Sequence, residues 1–124
     1  MKRVYIAHSR DIDYLNDLYA PLKNADYLGD YELLLPHESS DASYNTRDFY
    51  KSIDLMIAEV SKPAIGLGIE LGWAFDDQIP VYCIHRTDSK VSSSIKSITD
   101  KIYEYEDIDE MLVIVKKIFE QNQN

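Results

Sequence analysis

The sequence predicts an α/β fold: a five-stranded parallel sheet in the order 2-1-3-4-5, covered by helices on both faces. Three observations predict it. Short β-favouring runs alternate along the chain with segments whose apolar residues recur at helical spacing, the mark of successive βαβ units. The 124 residues carry no internal repeat, low-complexity segment or linker, which fits one domain spanning 1–124. The stretch Asp54–Phe75, DLMIAEVSKPAIGLGIELGWAF, runs from an apolar strand through a glycine-containing turn into a helix. In open α/β sheets that is where ligands bind.

Taken in order, Val4–Ala7 forms the first strand and begins almost at once; its apolar run is too short for a signal peptide. From about Asp13 to Asn24, Leu15, Leu18, Tyr19 and Leu22 make a helical stripe, with Asp11 or Asp13 placed to cap it. Tyr31–Leu35 is the second strand, stopped by Pro36. The stretch His37–Asn45, with Ser39, Ser40, Asp41, Ser43 and Asn45, reads as a polar loop, and Thr46–Ser52 as helical. Leu55–Ala58 is a buried third strand, followed by a helix over Gly66–Phe75. Pro80–Ile84 is the fourth strand, His85–Lys90 a polar loop, and Ser92–Ser94 with Ile95 and Ile98 a short, weakly anchored helix. Lys101–Tyr105 alternates as a strand with one wet face. In the last helix Ile108, Met111, Leu112, Val115, Ile118 and Phe119 share one stripe. Its acids Asp107 and Glu110 lie near the start and Lys116 and Lys117 near the end, matching the helix dipole. The tail Gln121–Asn124 is expected to fray.

Composition narrows the function. A net charge of −9 repels nucleic-acid phosphates and anionic membranes, so neither is an expected partner. No apolar run approaches the roughly 20 residues that span a bilayer. The single Cys83 forms no internal disulfide and lies in an apolar strand, which points to a reducing cytoplasm. No His/Cys/Asp spacing argues for a metal, and no cofactor is expected. Tyrosine is abundant, with 10 residues, and serves half-buried packing or a pocket for a flat ligand.

The most informative residue is Glu70. Phosphate loops put backbone amides and a lysine at the helix start, whereas here a carboxylate falls in what reads as the first turn. A helix N-terminus lowers a carboxylate's pKa, so Glu70 is expected to stay ionised at neutral pH. Such a group either complements the dipole or does chemistry. The segments Tyr5-Ile6-Ala7-His8-Ser9, Ala58-Glu59-Val60-Ser61 and the G-x-G-x-E-x-G run Gly66–Gly72 resemble the nucleoside 2-deoxyribosyltransferase family. Within it the sequence is most similar to the branch of 2'-deoxynucleoside 5'-monophosphate N-glycosidases, over most of the chain.

The resemblance implies a flavodoxin-like (Rossmann-like) three-layer sandwich and cleavage of an N-glycosidic bond. Glu70 is then the nucleophile at the anomeric carbon, and water or another base accepts the deoxyribosyl group. Tyr5 lies near sugar and base, Ser9 at the 5' end of the substrate, and Asp48 on the ribose or base. Ser92 and Ser93 match a serine that reaches a neighbouring subunit's site, which implies a homodimer or higher homo-oligomer. Gly66 and Gly68 leave the turn open, and Arg10 answers a loop arginine of the family. A structural reading stands beside each: Tyr5 as core, Ser9 as a cap, Asp48 as a surface charge, the serines as a loop. Glu59, at a strand end, orients a neighbour or caps the turn. His8 and His37 sit in crevice-side loops within reach of a base.

Two departures bear on the substrate. Ala64 stands where the monophosphate hydrolases carry a phosphate-binding serine, and Arg10 falls one position early with Asp11 in its place; a later basic residue survives as Lys96. Losing a donor and adding an acid both weaken phosphate binding, so an unphosphorylated nucleoside competes as substrate. A non-catalytic nucleotide- or nucleoside-binding module of the same fold is the alternative function. Flavin binding rests on fold analogy alone.

Overall fold

The structure, a computed structural model, describes residues 2–38 and 47–123. The expected loop residues Ser39, Ser40, Asp41, Ser43 and Asn45, and Thr46 at the head of the expected helix, lie outside the described residues. The strands are β1 (Lys2–His8), β2 (Tyr31–Leu34), β3 (Leu55–Glu59), β4 (Val81–Arg86) and β5 (Ile102–Tyr105). The α-helices are α1 (Ala20–Lys23), α2 (Arg47–Tyr50), α3 (Ile65–Asp76) and α4 (Ile108–Gln121). The strands form one sheet in the order β2-β1-β3-β4-β5, every pair parallel, as the sequence predicts.

Side-chain alternation along the strands builds two cores, one on each face. Val4, Ile6, Leu55 and Ile57 face one way and pack with Leu18, Leu22, Met111, Val115 and Phe119. Tyr5, Ala7, Met56 and Ala58 face the other and pack with Leu67, Leu71, Ala74 and Cys83. The first layer is anchored by α4, whose N-cap Asp107 accepts from the Glu110 amide at 2.8 Å while Glu110 reaches back to the Glu106 amide at 2.8 Å. The register sets Val4 beside Leu55 and His8 beside Glu59, so the carboxyl ends of β1 and β3 finish side by side.

The elements differ from expectation in instructive places. The first helix is not regular: Leu15–Tyr19 is a π-helical turn leading into α1. Pro21 explains it, because a proline ring has no N–H for the Asp17 carbonyl and collides with it in an α-helix; the wider turn relieves both. Strand β4 runs two residues beyond the expected end, into the segment read as loop, because His85 and Arg86 pair with Glu104 and Tyr105 of β5. The serine segment is a 3-10 turn, Ser93–Ser97, with Ser92 accepting from the Ser94 amide at 3.4 Å. Its Ile95 and Ile98 rest half-buried on the second core. No helix among the described residues is long and apolar enough to cross a membrane.

Candidate active site

A crevice of about 400 Å³ opens at the carboxyl end of β1, where the sheet's chain order reverses. The loop after β1 contributes Ser9, Arg10 and Asp11, α2 contributes Tyr50, and the start of α3 contributes Ala64, Gly66, Ile69, Glu70 and Trp73. His8 and His37 line it from the β1 and β2 side.

Glu70 is the centre of this arrangement. Tyr5, fully buried on β1, donates its hydroxyl proton to Glu70 Oε2, and Tyr50 of α2 donates to the same oxygen. The two hydroxyls are themselves 2.8 Å apart. With Glu70 ionised, both phenolic protons point at Oε2 and the contact between the phenols holds none. Burial drives both phenol pKa values up, and the Glu70 carboxylate raises them further, so both remain donors.

The helix-dipole argument for Glu70 fails. Helix α3 begins at Ile65, so Glu70 lies in the second turn, and no acid occupies the first. Burial raises its pKa above the ordinary glutamate value, and the bonds from Tyr5 and Tyr50 offset that only in part. Two phenols, rather than the helix terminus, stabilise the charged form.

Tyr50 owes its place to a clamp between α2 and α3. Its ring packs 5.0 Å from that of Trp73, one turn beyond Glu70. Arg47 lies 5.8 Å over the Trp73 ring and bonds to Asp76 at 2.8 Å and Asp77 at 2.5 Å. These contacts hold α2 against α3.

His8 belongs to the end of β1 and is buried, not a loop residue as expected. Its Nδ1 lies 2.9 Å from the Ser9 carbonyl, which only accepts, so Nδ1 carries the proton. Nε2 then accepts from the Tyr19 hydroxyl at 2.5 Å, and that hydroxyl accepts from the His37 amide at 3.1 Å. Burial pulls the His8 pKa down to about 4, against the raising effect of the Ser9 carbonyl. His8 is thus a neutral ring with both nitrogens engaged, and it stacks on Tyr14 with the ring centroids 4.6 Å apart. Burial and the nearby Arg10 charge also lower the His37 pKa. Ser9 is buried, and its Oγ accepts from the Asp11 amide at 3.0 Å, fixing the turn that carries Arg10.

Of the residues singled out from the sequence, the crevice gathers Glu70, His8, Ser9, Arg10, His37 and Gly66, with the Tyr5 hydroxyl bonded to Glu70. The others stand elsewhere. Asp48 has a side chain 94% exposed, 3.9 Å from Lys51, on the outer surface of α2. Glu59 points to the opposite face of the sheet, accepting from the Ser61 amide at 2.7 Å, the Ser61 hydroxyl at 2.8 Å and the Tyr105 hydroxyl. It orders the turn after β3 outside the crevice. Gly68 and Ser92 border a separate cavity of about 130 Å³ between α3 and the serine turn, and Ser93 is exposed. Tyr50 and Trp73 were not singled out. Trp73 had a usable signal, since it follows Glu70 by three residues and shares its helix face; nothing distinguished Tyr50 among 10 tyrosines.

Fold and site together define an α/β protein whose switch-point crevice presents a shielded carboxylate. An anionic oxygen held this way can stabilise or trap a carbon that develops positive charge. No protein-family model matches the chain. It is similar to two proteins that carry the provisional name 2'-deoxynucleoside 5'-phosphate N-hydrolase 1. The one from Methanococcoides burtonii is 47% identical over 47 residues, 38% of each chain. The one from Methanosarcina mazei is 41% identical over 51 residues, 41% of this chain and 32% of the relative. The matches thus span well under half of either relative's length. Among solved structures, the CMP N-glycosidase BcmB of Clostridium botulinum superposes with a TM-score of 0.67 at 22% identity, covering 94% of this chain and 99% of that one. At that identity the likeness is one of fold. These comparisons bear out the resemblance read from the sequence.

Proposed function

We propose that this protein cleaves the N-glycosidic bond of a 2'-deoxynucleoside or its 5'-monophosphate, with Glu70 as nucleophile. One observation carries the reading: a half-buried carboxylate lining the crevice, restrained through Oε2 by two phenols from two other elements. With both donors on Oε2, Oε1 is the oxygen left to attack. It bonds to C1' as the C1'–N bond breaks, and the base leaves with the electron pair and takes a proton from solvent. Water then cleaves the sugar–Glu70 ester, releasing the sugar and regenerating the carboxylate; a second base in place of water gives transfer. Tyr5 and Tyr50 hold the carboxylate throughout, while Ser9 and Arg10 lie on the side available to the 5' end. The names of the similar proteins support the substrate class. A reducing cytoplasm and a homodimer whose Ser92 or Ser93 reaches a neighbour's crevice complete the proposal.

The test is base release, measured by chromatography, from a panel of deoxynucleosides with and without the 5'-phosphate. Release is expected from at least one, with a loss of about 10³-fold or more in Glu70→Gln. No release from any substrate, or release unaffected by Glu70→Gln, would falsify the proposal. The second reading, a nucleotide-binding module without turnover, is favoured by Ala64, which leaves the start of α3 without a side-chain hydroxyl at the crevice. It predicts thermal stabilisation by nucleotides that survives Glu70→Ala.

A further inference from the structure

We propose that Trp73 is the residue against which the sugar of the substrate rests. The inference deepens the glycosidase reading and depends on a deoxynucleoside lying with C1' at Glu70. Helix α3 turns one stripe toward the crevice. Gly66, Ile69, Glu70 and Trp73 recur at the i, i+3, i+4 and i+7 positions of one helix face, and all four line the cavity. Ile69 is 47% exposed and Trp73 is half-buried, so the carboxylate is flanked by apolar surface that the fold leaves partly uncovered.

Reach decides what meets the indole. Side chains three residues apart on a helix have Cβ atoms about 5–6 Å apart. For attack, C1' must come to about 3–3.5 Å from the carboxylate oxygen. Tryptophan projects further from a helix than glutamate does, so a furanose ring whose C1' stands at Glu70 fills the gap to the indole of Trp73. The base does not. A nucleophile and its leaving group lie on opposite sides of the carbon under attack, so the base points away from Glu70 and from the helix that carries it. Contact with Trp73 is thus contact with the sugar, and it is common to every base.

The ring is also held ready. Tyr50 packs 5.0 Å from it and the Arg47 guanidinium lies 5.8 Å over it, both from α2. A side chain braced in this way loses little freedom when a ligand arrives. Trp73 is the largest side chain lining the crevice, and its face offers the C–H edges of a deoxyribose an apolar surface beside the reacting carboxylate.

The experiment is isothermal titration calorimetry with deoxycytidine and deoxyadenosine, each with and without the 5'-phosphate. The protein is the full chain carrying Glu70→Gln, which keeps the ligand intact. Adding Trp73→Leu should weaken every ligand that binds by the same factor, about tenfold or more. Trp73→Phe retains a ring against Tyr50 and should recover most of that loss. Trp73 is the sole tryptophan of the chain, so its emission should change when a nucleoside binds the Glu70→Gln protein. A tryptophan that only braces Tyr50 would act on the carboxylate and on turnover, leaving these affinities and the emission in place. Absence of binding, affinity unchanged by Trp73→Leu, a loss that differs from base to base, or unchanged emission overturns the proposal. Base release combined with binding indifferent to Trp73 removes this inference alone, whereas Trp73-dependent binding without base release removes the glycosidase reading alone.

Discussion

Tyr50 on α2 donates its hydroxyl proton to Glu70 on α3, at the same oxygen that receives the Tyr5 proton from β1. The carboxylate is thereby fixed by two elements other than its own, and its position depends on α2, which Arg47 clamps against α3.

Tyr50→Phe should separate this role from general packing. Losing a hydrogen bond to a charged acceptor, worth about 1.5–3 kcal/mol, is expected to lower the rate of base release by about 10- to 100-fold. The proposed reaction requires ionised Glu70, so activity is expected to fall as pH drops through a value above the ordinary glutamate range. The phenol bonds lower the Glu70 pKa against the raising effect of burial, so removing one moves that acid limb to higher pH. A pH–rate profile of wild type and variant checks it; an inflection that stays in place argues that Tyr50 only packs.

Burial of Glu70 also predicts a stability signature. Its folded-state pKa is raised, so below the unfolded-state pKa both states carry the proton and no charge-burial cost exists. Above the folded-state pKa both states are ionised and the cost is present in full. Stability contributed by this group is therefore lost as pH rises through that window. Glu70→Gln removes the titration, so the melting temperature of the variant should gain on wild type as pH rises from the ordinary glutamate range toward neutral. Thermal unfolding across that range measures the difference; a gap that closes or reverses with rising pH contradicts the buried-charge account.

The sequence revealed the sheet and less of the site, for a physical reason. Strand order follows from apolar runs and helical stripes, which are local patterns: Leu55–Ala58 and the Ile108–Phe119 stripe could hardly be anything else. Glu70 stood out because a charged residue interrupted a glycine-rich apolar run. Its partners lie 20 and 65 residues away, and which tyrosines meet it depends on tertiary packing. The same gap placed Glu70 in the first turn, because the exposed Ile65 gives no sign that the helix begins there. Asp48 and Glu59 were drawn in by residue type, and only their directions, one to solvent and one across the sheet, remove them from the crevice.

The end of α3 offers a stability test away from the chemistry. The Gln78 amide bonds to the Phe75 carbonyl at 3.1 Å and the Ile79 amide to the Ala74 carbonyl at 2.9 Å, a Schellman closure with Gln78 at φ 59°. A left-handed conformation costs a residue with a Cβ about 1–2 kcal/mol, partly offset by the greater unfolded-state freedom of glycine. Gln78→Gly should therefore stabilise the protein by up to about 1 kcal/mol, whereas Gln78→Ala, with its Cβ retained, should not. Denaturant melts of the three proteins decide it.

At the other end of α3, Ala64 occupies the N-cap in an extended conformation with no side-chain cap, and it lines the crevice as well. A serine there has two uses. Its oxygen can accept from an amide of the first helical turn, which is worth about 0.5–2 kcal/mol, so Ala64→Ser should raise the melting temperature. Its proton remains available to an anion in the crevice, so a 5'-phosphate resting against the start of α3 should bind the variant more tightly. The expected result is a higher melting temperature together with a lower KM for the monophosphate relative to the unphosphorylated nucleoside. Stabilisation with an unchanged KM ratio would instead assign the phosphate to the Ser9 and Arg10 side of the crevice, because a hydroxyl that caps the helix without touching substrate cannot discriminate between the two.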